Sequence, residues 1–233
     1  MRATSYSLLM GVLALLLSSC AVWDALAPDD EPVPTAAPAA VEKMFDSQFT
    51  RDGTFQSHID VDGVDFVYTL WPTKSTPRTN EWFPRGDKFF SFTFQAYDLD
   101  RRLRDPFATK RKVYLDRIKV TSRTTTVGGG PAQRPYRLEA SARAITFDPE
   151  PVATERGMLI TSPKGAFELR NQRIGPVSLD TRGLTLSFTA TVWIQQEAGS
   201  DSFVKKEIRQ NVPIAIFESR ERTKVTKIPV NAN

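Results

Sequence analysis

One histidine and one cysteine, His58 and Cys20, limit the chemistry open to this chain. A Ser-His-Asp nucleophile needs a base, and His58 falls mid-strand in an alternating stretch, with no Gly-x-Ser-x-Gly anywhere. Zinc needs three or four nitrogen or sulfur ligands, which these two residues do not supply. Aspartate and glutamate together number 27, so a carboxylate-pair hydrolase stays chemically open. No such pair stands out on a loop beside aromatics; Glu81, next to Trp82, comes nearest. Asp60, Asp62 and Asp65 crowd one turn. They would suit a cation held by oxygen ligands, Ca²⁺ above all, although the full calcium loop and its distal Glu are missing. They would equally serve as solvated charges that keep a sheet edge from aggregating. Arg101, Arg102, Arg104, Lys110, Arg111 and Lys112 form a basic run set against Asp98, Asp100 and Asp105. Such a run could meet phosphate or an acidic partner, or be a solvated loop. Gly128-Gly129-Gly130-Pro131 lacks the Gly-x-x-x-x-Gly-Lys-Ser/Thr form that cradles phosphate. The expectation is a non-enzyme without a cofactor or metal, whose candidate binding surface is Trp82 with Arg101, Arg102 and Arg104.

Strands must position these residues. Phe55, Ser57, Ile59 and Val61, then Asp62-Gly63, then Val64, Phe66, Tyr68 and Leu70 read as a hairpin with a two-residue type I′ turn. Pairing Val61 with Val64 sets Ile59 against Phe66, and Asp60 against Asp65 on the other face, where two carboxylates repel. Residues 72–88 are a long proline-punctuated loop, of a length that suits binding or a return with Trp82 as a plug over the core. Phe90, Phe92, Phe94 and Ala96 mark a central strand. Val113–Thr126 is another, with a slip in its alternation between Leu115 and Ile118 that predicts a bulge. A strand is predicted over 136–144, a shorter hairpin over 158–169 and a short strand over 174–179. Leu184 to Ile194 carries the cleanest alternation. A strand over 203–217 follows, placed at an edge by Pro213. Some eight or nine strands with turns between them predict an all-β fold, an antiparallel two-sheet β-sandwich, immunoglobulin-like or related. Charged outward faces and long loops disfavour a membrane barrel.

The N-terminus is of another kind. Arg2 precedes an apolar run over 8–17, too short to span a hydrocarbon core about 30 Å thick but fit for an export signal. Leu17-Ser18-Ser19-Cys20 resembles the lipobox of bacterial lipoproteins. That resemblance covers residues 1–20. It implies cleavage between Ser19 and Cys20, diacylation of the Cys20 thiol and acylation of the new amino group, which together anchor stably. Ala21 follows, whereas an Asp there retains Gram-negative lipoproteins at the inner membrane. The implied place is therefore the outer membrane, periplasmic face, if the source is Gram-negative. No other thiol is available for a disulfide.

Residues 27–40 carry four prolines and read as a tether. Extended, residues 20–44 could span about 70 Å, or be plain disorder. The expected organisation is a signal peptide over 1–19, anchor and tether over 20–43, one β-sandwich over 44–217 and a charged tail over 218–233. Net charge is +4, which allows but does not demand attraction to anionic lipid or lipopolysaccharide. The expected partners are the membrane, through acyl chains on Cys20, and an envelope protein, peptidoglycan or lipopolysaccharide. Export argues against nucleic acid. The runner-up function is a lipid-anchored hydrolase of envelope polysaccharide.

Overall fold

The computed structural model describes residues 45–74 and 76–219. Ser19, Cys20, the tether and the tail beyond Ser219 lie outside the described residues. A short helix, α1 (Gln48–Asp52), opens the described chain, capped by the Ser47 hydroxyl. β1 (Phe55–Val61) and β2 (Val64–Pro72) follow. They join at Asp62-Gly63, whose φ angles of 55° and 73° are the left-handed pair that a type I′ turn requires. The register is the expected one, with Val61 facing Val64, Ile59 facing Phe66 and Asp60 facing Asp65. β3 (Lys88–Asp98) pairs with β2, and β8 (Phe167–Ile174) pairs with β3, completing a four-stranded sheet in the order β1-β2-β3-β8.

The second sheet is built on β4 (Val113–Thr126) and β9 (Thr181–Gln195), paired along most of their length. Their register shifts between Leu115 and Arg117, which places the predicted bulge at Asp116. β10 (Phe203–Ala215) is the outer neighbour of β9. Pro213 is tolerated there because a strand edge leaves one row of amides unpaired. The other edge of β4 receives β5 (Arg137–Ser141) and β7 (Gly157–Leu159) end to end, with β6 (Ala153–Thr154) beyond β7. The two antiparallel sheets are thus of four and six strands, ten among the described residues. The count passes eight or nine because β6 and β7 are only two and three residues long.

Three expectations are corrected. The strand predicted over 136–144 ends at Ser141, and Ala142–Ile145 forms a helical turn, α2, closed by the Thr146 N–H on the Ala142 carbonyl at 3.0 Å. β7 occupies the β4 edge at Tyr114 and Leu115, so the chain must leave the ladder before it. The hairpin predicted over 158–169 does not form, because β7 and β8 belong to different sheets. Between them, residues 160–162 step across the sandwich. The Ile160 N–H donates to the Val113 carbonyl at 2.9 Å, and the Ala96 N–H donates to the Ile160 carbonyl at 2.9 Å. The Thr161 hydroxyl accepts the Val113 N–H at 2.7 Å. Last, 175–180 is loop, since Pro176 has no amide to donate and β8 already ends at Ile174.

Alternate residues of both sheets meet in one core. Tyr68 stacks on Phe94 with ring centroids 4.2 Å apart, and Phe92 meets Phe188 edge-on at 4.9 Å. The registers also define two ends. The described chain enters at one, where Phe45, α1 and the loops over 73–87, 127–135 and 175–180 gather. The opposite end carries the 62–63 turn and the loops over 99–112 and 196–202. Among the described residues, no helix is long and apolar enough to cross a membrane.

Candidate binding surface

The loop from β3 to β4 is held from its root to its tip. At the root, β3 ends on Asp98, whose side chain is buried because it shares the inward parity of Phe94 and Ala96. Arg111 meets it there. Its Nε and Nη2 donate to Asp98 Oδ1 at 3.0 and 2.7 Å, and its backbone N–H donates to Oδ2 at 2.8 Å. The same guanidinium donates to the carbonyls of Asp62 and Gly63, both at 2.8 Å, and pairs with Asp100 at 3.1 Å. One arginine thereby ties the hairpin turn to the loop root. Burial pushes the Asp98 carboxyl up, but bonds to Arg111 and its charge outweigh this and hold it below the ordinary value.

Lys110 supports the middle of the loop. It is 3% exposed, and its Nζ donates to the carbonyls of Arg102 and Leu103 at 2.8 and 3.0 Å. Asp105 closes the tip, its Oδ2 accepting the Arg102 N–H at 2.9 Å while its own N–H donates to the Arg102 carbonyl at 3.0 Å. Pro106 then leads into a short 3₁₀ turn, Phe107–Thr109. On this frame Leu99, Arg101, Arg102, Leu103 and Arg104 are all exposed. Arg101 Nε reaches the Thr109 carbonyl at 3.2 Å. The side chains of Arg102 and Arg104 make no hydrogen bond or ion pair among the described residues.

Trp82 does not join them, which corrects its place in the expected surface. It is 0% exposed, lies 5.2 Å from the Phe49 ring, and its Nε1 donates to the Thr76 carbonyl at 3.2 Å. It plugs the entry end of the core, the other reading of that loop. Trp71 and Tyr97 are half-buried on the outer face of the four-stranded sheet. Glu81 pairs with Arg78 at 2.7 Å.

The three acids of the hairpin turn to separate partners. Asp60 Oδ1 accepts the Gly63 N–H at 3.0 Å, Asp62 meets Lys206 at 3.1 Å, and Asp65 meets His58 Nδ1 at 2.7 Å. Among the described residues, no group of three or more His, Cys, Asp or Glu side chains could hold a metal ion.

Two open clefts lie on the surface of the described residues. One, of about 580 Å³ at the entry end, is lined by Arg85, Asp87, Gln133, Arg173 and Ser178. Its rim is shaped by Lys88, fully buried, whose Nζ donates to the carbonyls of Phe83, Pro84 and Gly86 at 2.9, 3.2 and 2.7 Å. Burial lowers that ammonium to about 8. Sequence reasoning did not single out Lys88, yet it shares the inward parity of Phe90 and Phe92. The other cleft, about 430 Å³, gathers Asp116, Glu155, Arg156, Trp193, Asp201 and Phe203. Arg156 stands 4.6 Å over the Phe203 ring and Lys205 5.2 Å over the Trp193 ring. The same two cations pair with Glu155 at 3.1 Å and Asp116 at 3.4 Å.

No protein-family model matches this chain, and no curated protein matches it.

Proposed function

We propose that this chain is a membrane-anchored envelope lipoprotein whose β-sandwich is a non-catalytic binding module, with residues 99–104 as its contact surface. The observation that carries the reading is the loop itself. Three exposed arginines and two exposed leucines stand on a backbone pinned by Lys110, Asp105 and the Arg111–Asp98 pair. A frame fixed in advance loses little freedom on binding. The Leu17-Ser18-Ser19-Cys20 stretch and the proline-rich segment after it support the anchoring half. In-cell crosslinking of the full chain tests the binding half. A photoreactive residue at position 103 should form an adduct with an envelope component, and one at exposed position 123 should not. Equal adducts from both positions, or none from either, contradict it.

A second reading, a lipid-anchored hydrolase of envelope polysaccharide, is favoured by the cleft that sets Asp116, Glu155 and Asp201 beside Trp193 and Phe203. Two of those acids are engaged by cations, and the same cations stand over the Phe203 and Trp193 rings. This supports the non-catalytic reading. Sugar release from envelope polysaccharide by the purified chain, abolished by Glu155→Gln or Asp201→Asn, would reverse the order.

A further inference from the structure

We infer that the loop tip over 99–104 docks onto an anionic phospholipid surface; this rests on the binding-module reading and names its partner. Leu99 and Leu103 are 54% and 61% exposed, and Arg101, Arg102 and Arg104 are interleaved with them. Leucine enters the boundary between headgroups and acyl chains, and guanidinium pairs bidentately with phosphate. The nearby acids are already engaged. Asp98 and Asp100 lie on Arg111, Asp105 accepts the Arg102 amide, and Asp62 meets Lys206. Residues 98–112 still carry six cations against three carboxylates, a net charge of +3, and Lys164, 5.0 Å over the Phe107 ring, adds another cation beside it. Protein hot spots favour Trp, Tyr and Arg over Leu and sit in well-packed pockets; residues 99–104 supply arginine but also two leucines, no Trp or Tyr, and line neither cleft. A soft charged surface fits this tip better than a complementary protein face of roughly 800 Å².

The test is co-sedimentation of the full chain carrying Cys20→Ser, which removes the acylation site, with vesicles of phosphatidylglycerol in phosphatidylcholine or of phosphatidylcholine alone. Preference for the anionic vesicles is expected. Each surface arginine contributes about fivefold, so R101Q/R102Q/R104Q should lower anionic partition by roughly a hundredfold. L99S/L103S should lower it while leaving its salt dependence unchanged. R117Q/K119Q/R123Q removes the same charge from the outer face of the six-stranded sheet and should have little effect. No anionic preference, or an equal loss in that control, overturns the inference. All substitutions lie on exposed side chains, and matched melting temperatures exclude misfolding. An adduct from position 103 with protein or peptidoglycan, and none with phospholipid, would keep the binding module and overturn the lipid partner.

Discussion

Single side chains settle which charges stay inside the fold. Extending the alternation of Phe90, Phe92, Phe94 and Ala96 by one step each way places Lys88 and Asp98 inward, where both are found. The sequence carries no comparable sign for Lys110. Within the basic run, Lys110 and Arg111 are drawn inward onto backbone carbonyls, while Arg101, Arg102 and Arg104 stay exposed, Arg101 reaching only the nearby Thr109 carbonyl. Identical charges in one run take opposite roles because tertiary contacts, not local spacing, decide which are buried. Asp98 makes a pH test. Its carboxyl lies below the ordinary 3.8 when folded. Its stabilising effect is thus present above that value and lost as pH falls through the lower folded one. Asp98→Asn should cost about 3 kcal/mol at neutral pH. It should also flatten the fall of Tm as pH drops below the ordinary carboxylate value; a parallel acid limb would contradict this. Tyr68 makes another test. Its hydroxyl is buried without a partner among the described residues, and burial pushes its pKa far up. Tyr68→Phe should leave stability unchanged or raise it by about 1 kcal/mol in denaturant melts, and a clear loss would show that the hydroxyl has a partner.

At the scale of elements, local chemistry was readable and destination was not. Asp62-Gly63 carries its own turn instruction, and the slip at Asp116 marks its own bulge, so hairpin register and bulge follow from sequence. Residues 158–169 read as two short strands around Pro163-Lys164-Gly165, but such a pattern names strands and never the sheet each joins. The step of 160–162 between sheets, through Val113 and Ala96, therefore has no sign in the pattern. Gly183 shows the same limit. It lies in β9 opposite Ala215 and Thr125, and the Phe45 ring packs where a side chain would stand. Gly183→Ala should expel that ring and cost about 2–3 kcal/mol, by analogy with overpacked cores, seen as a lower denaturant midpoint. A neutral result would mean that Phe45 is not part of the closing plug with Phe49 and Trp82.

Across the described residues, the two ends of the sandwich differ in what they present. The described chain enters at the end that Phe45, α1 and Trp82 close, and the basic tip stands at the other. The tip was half visible in sequence, as a run of cations. Its leucines and its frame were not, because exposure and carbonyl clamps arise only on folding. An anchored module needs a tether at one end and a contact at the other, and this arrangement would suit it. The proposed hold on a membrane rests on Cys20. The direct measurement is labelled palmitate incorporation in a bacterial host, with Cys20→Ala as control. An anchored chain should take up label in the wild type and none in the variant; an unlabelled wild-type chain, or equal label in both, would contradict it.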